Sequence, residues 1–242
     1  MRFSIIIPTL NEEKLLPRLL EQIAGGRILE KYDAELIISD GGSIDRTLEI
    51  AQRYTDKVIK HNEARRQNIG EGRNSGVKCA QGDILIFLGA DIVFEDIERF
   101  FGVIESEFEK SHYLAMTCNV RVFPEEELMK DKIFHGLLNT YFYLLNVFSV
   151  GMGRGECQII RKNIFLDCKG YNESLAAGED FEFFTRVRRK GKIFFARRLN
   201  IFESPRRYRK YGYLNVCKSW FVNSYYVLFK NKSMDQEWEQ IR

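Results

Sequence analysis

A chain of 242 residues, 45% hydrophobic and 29% charged, is long enough to bury a sizeable core and too apolar to be disordered. Its net charge of +3 is too small to point to nucleic acid. The five cysteines are odd in number, far apart and never spaced as CxxC, which encourages neither a disulfide framework nor a zinc site and makes reduced, cytoplasmic thiols the expectation.

The opening MRFSIIIPTLNEE has an apolar run too short for a secretory segment, so a strand in the cytosol is expected first. FSIIIP (3–8) is a continuous β-branched run, as in a strand buried on both faces. TLNEEKLLPRLLEQIA then reads as a helix, with Thr9 and Glu12 as a capping box and Leu15, Leu16, Leu19, Leu20 and Ile23 at helical spacing. AELIISD (34–40) repeats the strand pattern and leads through GGS into a helix, IDRTLEIAQRY, with Ile44, Leu48 and Ala51 on one face. KVIKH (57–61), a Gly-rich helix ARRQNIGEGRNSGVKCAQG and the strand DILIFLG (83–89) follow. Four strand–helix alternations predict a parallel, doubly wound sheet with ligands at its C-terminal strand ends.

Beyond Phe94 the rhythm changes. EDIERFFGVIESEFEK reads as a helix and YLAMTCNVRVF (113–123) as a longer strand. PEEELMKDKIFHGLLNTYFYLLNVF reads as a helix with Pro124 near its start. ECQIIRKNIF and KIFFARR add short strands around a helix at 179–190. Gly136–Gly153 carries no charge over 18 residues, but two asparagines and three glycines favour a buried or surface-lying helix over a membrane span. Neither GxxxxGK[ST] nor GxGxxG follows the first strand, which removes kinase-like and dinucleotide readings. The acidic PTLNEE loop also argues against nucleotidyl transfer.

Four polar clusters fall at the ends of apolar runs: PTLNEE, SDGGSIDRT, GADI and AAGEDFEFF. Any one of them reads as a turn or a helix start. Together, the stretches SIIIPTLNE, ELIISDGGSIDRT, EGRNSGVKCAQGDILIFLGAD and GYNESLAAGEDFEFFTRVRRKG resemble the family 2 glycosyltransferases, over residues 3 to about 205. The resemblance implies the GT-A fold, an α/β architecture with a Rossmann-like, mostly parallel sheet, helices on both faces and a mixed acceptor-side half. It divides the chain into residues 1–205 (a nucleotide-binding half, 1–110, and an acceptor half, 111–205), followed by a basic loop and an aromatic helix in 206–242.

The resemblance also implies roles. Pro8, Leu10, Asn11 and Glu12 would line the nucleoside, although Asn11 and Glu12 suit helix capping equally well. Asp40 would accept a hydrogen bond from the base or ribose. Ala90 would lie against the donor, and Arg73 would reach its diphosphate, where a guanidinium fork suits phosphate oxygens. Asp91 would be the metal ligand for Mg2+ or Mn2+. The family's DxD motif is incomplete here, because Gly89 stands at its first position. Asp180, beside Glu179, would be the catalytic base of a metal-dependent, inverting transfer. The family's later histidine ligand has no counterpart, since His61, His112 and His135 all precede Glu179. His135 is expected to be packed or on the surface. In the run ESPRRYRKYG, Arg206 or Arg207 is expected to fold over the diphosphate, with Glu203 or water completing the metal shell.

The expected donor is a UDP-, GDP- or dTDP-sugar, and the acceptor a sugar or a polyprenyl lipid. The alternative is a non-catalytic nucleotide-sugar-binding or assembly subunit. Segments 136–153 and 213–229 leave open a peripheral contact with the cytoplasmic membrane face or a homodimer.

Overall fold

Residues Phe3–Thr9 (β1), Ala34–Asp40 (β2), Val58–Lys60 (β3) and Ile84–Leu88 (β4) form four parallel strands in the spatial order β3-β2-β1-β4. Nearly every residue of β1, β2 and β4 is buried, which explains why these runs are continuous rather than alternating. The molecule is a computed structural model that describes residues 1–230 and 232–234.

The pleat sends successive side chains to opposite faces, and each face has its own core. Ile5, Ile7, Leu36, Ile38 and Ile86 pack with Leu16, Leu19, Leu20 and Ile23 of α1 (Leu16–Gly25). The same core takes in Ile28 of α2 (Ile28–Lys31), Ala51 of α3 (Thr47–Ala51), and Phe100 and Phe101. Ile6, Ile37, Leu85 and Phe87 point the other way, to Val77 of α4 (Ile69–Cys79) and to Phe165, Phe183, Phe184 and Val187.

The second half extends the same sheet. Strand β5 is Ile92–Phe94, and α5 (Ile97–Val103) continues into a π-helical turn at Ile104–Phe108. Then come β6 (Ala115–Val122), α6 (Met129–Val147), β7 (Cys157–Arg161), α7 (Lys162–Asp167), α8 (Glu179–Lys190), β8 (Ile193–Glu203), α9 (Arg206–Tyr211) and α10 (Tyr213–Lys230). Strand β7 enters antiparallel between β4 and β6, β8 lies parallel to β6, and β5 closes the far edge. Six of the eight strands therefore run one way, with β7 and β5 opposed. This is the GT-A fold, with a mostly parallel sheet and helices on both faces.

Several local expectations are corrected. Thr9 ends β1 and gives its hydroxyl to Asp40, and α1 starts only at Leu16 with Pro17 in its first turn, so Thr9 and Glu12 form no capping box. The capping box belongs to α4, where Asn68 and Glu71 satisfy each other's backbone N–H groups. Ile44 is 92% exposed and lies before α3 rather than on its buried face. Pro124 precedes α6 by several residues, and KNIF belongs to the helix α7 rather than to a strand. Arg206–Tyr211, expected as a loop, is helical. All five cysteines are free thiols.

Gly82 sits where the backbone of β1 leaves no room. A Cβ there would lie 2.5 Å from the Phe3 carbonyl carbon and 2.6 Å from Ser4 N, whereas a Cβ at Gly102, inside α5, would meet nothing within 4 Å. Gly82→Ala is therefore expected to lower unfolding free energy by at least ~1–3 kcal/mol in denaturant melts. Gly102→Ala should leave it unchanged or raise it by up to ~1 kcal/mol.

Candidate active site

The C-terminal ends of β1 and β2 are laced into one rim. Asp40 is 1% exposed and accepts hydrogen bonds from the N–H groups of Gly42 (3.1 Å) and Ser43 (2.9 Å) and from the hydroxyls of Ser43 and Thr9. Its carboxylate thus holds the GGS turn. Asn11 adopts a left-handed backbone (φ 54°), a conformation in which asparagine is enriched. It donates its N–H to Ser43 Oγ and accepts the Ile44 N–H on Oδ1. Pro8 and Leu10 are half-buried beside this turn.

At the end of β4, Ala90 is buried and Asp91 is partly open. The Arg206 guanidinium, at the start of α9, lies between two carboxylates. Its Nη2 donates to Glu12 Oε1 at 2.8 Å and to Asp91 Oδ2 at 2.9 Å. Glu12, expected at the nucleoside, is thereby joined through Arg206 to Asp91. Arg207, which follows, is pushed down from the ordinary arginine range by burial, with Asp91 and Glu203 among the charges opposing that.

The residues here fit a divalent cation in one respect: two carboxylates, Glu12 and Asp91, already converge on a single cationic nitrogen. Among the described residues no group of three or more His, Cys, Asp or Glu converges on a point. A cation would therefore take the rest of its shell from phosphates and water, as hard cations do. The family's first acid is Gly89 here, where a Cβ would lie 3.1 Å from Asp91 Oδ1.

Helix α8 begins after Gly178, whose left-handed φ of 81° turns the chain so that Glu179 and Asp180 open the helix. Glu179 is buried and pairs with Arg73 Nη1 at 2.8 Å. Arg73 does not reach the open cleft. It is 1% exposed, gives Nη2 to the Gly155 carbonyl at 2.7 Å, and stacks over the Tyr171 ring. Burial raises both acids above the usual carboxylate range, Glu179 to about 7 with Asp180 adding to the effect, while Arg73 opposes it.

The turn Gly155–Glu156 lies beside both Asp180 and the strand end that carries Asp91. Gly89 N–H donates to the Glu156 carbonyl at 3.0 Å, and the Gly89 Cβ position lies 3.7 Å from Glu156 Cα. A Cβ on Gly155 would lie 3.1 Å from Asp180 Oδ2. Two consecutive residues thus touch the surroundings of both acids, and neither acid is sealed in the core.

The same turn carries a network that the sequence reading missed. Arg154, 3% exposed, pairs with Glu156 at 3.0 Å and with Glu203 at 2.8 Å, and Tyr208 of α9 gives its hydroxyl to Glu203. Burial and the Glu156 charge push Glu203 up to about 8. Burial opposes ionisation of Glu156, but Arg154 outweighs it and brings Glu156 down to about 2. Glu203, expected as a candidate for the metal shell, is committed to Arg154 and Tyr208. His135 is fully buried, with its Nδ1 3.8 Å from Glu203, and burial holds it down at about 3. The available signal was the charged GRGE directly after a long uncharged stretch.

Comparisons with known proteins agree with this fold. A "PGL/p-HBAD biosynthesis glycosyltransferase" of Mycobacterium tuberculosis (strain ATCC 25177 / H37Ra) is 43% identical over 93 residues, 37% of this chain and 35% of the relative. The chain thus spans about a third of that relative's length. A "GalNAc(5)-diNAcBac-PP-undecaprenol beta-1,3-glucosyltransferase" of Campylobacter jejuni is 25% identical over 234 residues, 90% of this chain and 73% of the relative. Glucosyl-3-phosphoglycerate synthase from Mycobacterium tuberculosis, solved with Mg2+ and UDP, superposes with a TM-score of 0.64 at 16% identity, covering 95% of this chain and 78% of that one. Residues 4–167 match the family described as Glycosyl transferase family 2, and the chain belongs to that family.

Proposed function

We propose that the chain transfers a sugar from a nucleotide-diphospho-sugar to an acceptor hydroxyl, with inversion at the anomeric carbon and Asp180 as general base. The observation that supports this most is that Gly155–Glu156, at the edge where the parallel strands end, borders both Asp180 and the strand end carrying Asp91. Such an edge is where α/β sheets bind ligands.

In this reading Pro8, Leu10, Asn11 and the turn tied by Asp40 border the nucleoside. Asp180 removes the acceptor proton as the acceptor oxygen bonds to the anomeric carbon. The bond from that carbon to the diphosphate breaks on the opposite side, and its electron pair leaves with the nucleoside diphosphate. Glu179 and Arg73 position Asp180 from beneath. Arg206 and Arg207 bring two guanidiniums to the leaving group, for which bidentate contact is well suited. Asp91, with Glu12 beside it, would hold Mg2+ or Mn2+, which when bound supplies positive charge for the departing phosphates. The synthase solved with UDP and Mg2+ supports a nucleoside diphosphate and a divalent ion here. The name of the Campylobacter relative supports a lipid-linked sugar as acceptor.

The direct test is release of nucleoside diphosphate from UDP-, GDP- and dTDP-sugars, with and without Mn2+. Asp180→Asn is expected to lower kcat by ~10²–10⁴ with donor binding retained, and Asp91→Ala to abolish stimulation by Mn2+. Tight binding of a donor with no release from any of them would instead identify a non-catalytic nucleotide-sugar binder.

The base must be ionised to act, so kcat/KM should rise with pH along an acid limb lying above the ordinary aspartate range. Glu156→Gln removes a negative charge that raises Asp180 and leaves Arg73, which lowers it, in place. The limb should then move to lower pH; an unmoved limb, or one shifted upward, would rule out the coupling.

Arg206→Ala is expected to weaken donor binding by ~10–100-fold, the range for one or two hydrogen bonds from a charged group. Unchanged donor affinity in the Arg206→Ala/Arg207→Ala double variant, by calorimetry, would remove both residues from the donor site.

A further inference from the structure

Helix α6 is inside-out. Its buried positions carry Asp131, His135, Asn139 and Asn146, with Phe142 the single apolar exception. Asp131 takes Arg209 at 2.8 Å, Asn139 pairs with both backbone groups of Val120, and Asn146 holds the backbone of Met152. The outward face carries the apolar residues: Met129 (70% exposed), Ile133 (59%), Leu137 (69%) and Phe148 (73%). A helix facing water has the opposite arrangement.

The stripe continues onto α10. The Tyr213 and Phe134 rings meet at a tilt, 4.7 Å between centroids, and the Phe221 and Tyr141 ring centroids are 6.5 Å apart, so the two helices share one side of the molecule. There Leu214 is 86% and Phe221 64% exposed. Large apolar side chains this exposed, gathered on two helices of one side, point to a docking surface rather than to singly scattered exposure. No helix among the described residues is long and apolar enough to cross a membrane.

Charge decides what the face meets. From Lys132 to Gly155 the sequence contains no acidic residue, and residues 204–234 contain none against seven lysines and arginines, of which Arg206 and Arg207 belong to the site and Arg209 pairs with Asp131, leaving Lys210, Lys218, Lys230 and Lys232. Beside α6, Arg121, Lys132 and Arg197 line a groove of ≈ 380 Å³ together with Asn119, Asn139 and Asn200; Glu127, which pairs with Arg121 and Lys132, offsets one of the three positive charges. A second copy of the chain would bring these like charges together, whereas an anionic bilayer complements them. We infer that α6 and α10 form a membrane-docking face, with the apolar stripe in the interfacial region of an anionic bilayer and the groove at the level of its phosphates. The inference rests on the helix faces and is independent of the acceptor reading above.

The experiment is co-sedimentation of the full chain with vesicles of phosphatidylcholine alone or with added phosphatidylglycerol, at low and high salt. Binding is expected to the phosphatidylglycerol vesicles, weakening as salt shortens the reach of the charges. Ile133→Asp/Leu137→Asp, at two exposed positions, should lower the partition coefficient at least ~10-fold, given the apolar area withdrawn from the bilayer. Leu137→Trp should keep or strengthen it, since tryptophan favours the interface. A chain that stays in the supernatant with both vesicle types overturns the inference. So does equal binding of the double-aspartate variant. A dimer in sedimentation equilibrium that this variant dissociates, without vesicle binding, would assign the face to self-association instead.

Discussion

The antiparallel pairing of β7 with β4 is the constraint on which the rest of the structure depends. It is the seam between the parallel half, β3-β2-β1-β4, and the second half, β6-β8-β5. The pairing runs from Ile84↔Arg161 to Leu88↔Cys157, and one further backbone hydrogen bond, Gly89 to Glu156, carries it past the strand ends. That last bond lays Gly155–Glu156 across the mouth of the sheet. Without it the carboxylate after β4 and the carboxylate opening α8 would have no common neighbour. Two aspartates nearly 90 residues apart in the chain, Asp91 and Asp180, thus share the neighbourhood of one backbone turn.

Beneath the cleft, two arginines are nearly inaccessible to water, Arg73 and Arg154, and each faces carboxylates it can only partly neutralise. Taking such ions out of water is unfavourable, and pairing offsets the penalty only when the remaining donors are also satisfied. Arg73 still has Nε without a partner, and Arg154 has Nη1 without one. Burial first, and then the second acid beside each, raises Glu179 to about 7 and Glu203 to about 8, while Arg154 keeps Glu156 ionised. The floor of the cleft is thus electrostatically tense, an arrangement found where function, rather than stability, sets the sequence.

The sequence was most informative where a single physical rule governed. Continuous β-branched runs gave β1, β2 and β4, and the acidic start and basic end of α8 marked its limits at 179 and 190. It was least informative where long-range partners decided the outcome. Glu12 looks like a helix cap by spacing, yet its carboxylate is taken by Arg206, 194 residues later. Arg73 has the composition of a phosphate ligand, but Tyr171, Gly155 and Glu179 close over it, and none of these is near it in sequence. Strand β5, three residues long, is defined by its pairing with β8 rather than by any pattern of its own. In α6 hydropathy pointed away from the truth, because the buried positions are the polar ones.

That last feature limits how the protein can be altered. Strand β6 leaves β7 after Met116, and from there Asn139 stands in for the missing neighbour by giving Val120 both an acceptor and a donor. A redesign that replaced this asparagine with leucine, as solubility engineering of a greasy helix would suggest, would leave a buried peptide group unsatisfied at a penalty of ~1–3 kcal/mol or more. The helix cannot be rolled over to hide its oily side, because its grip on the sheet is made of amides.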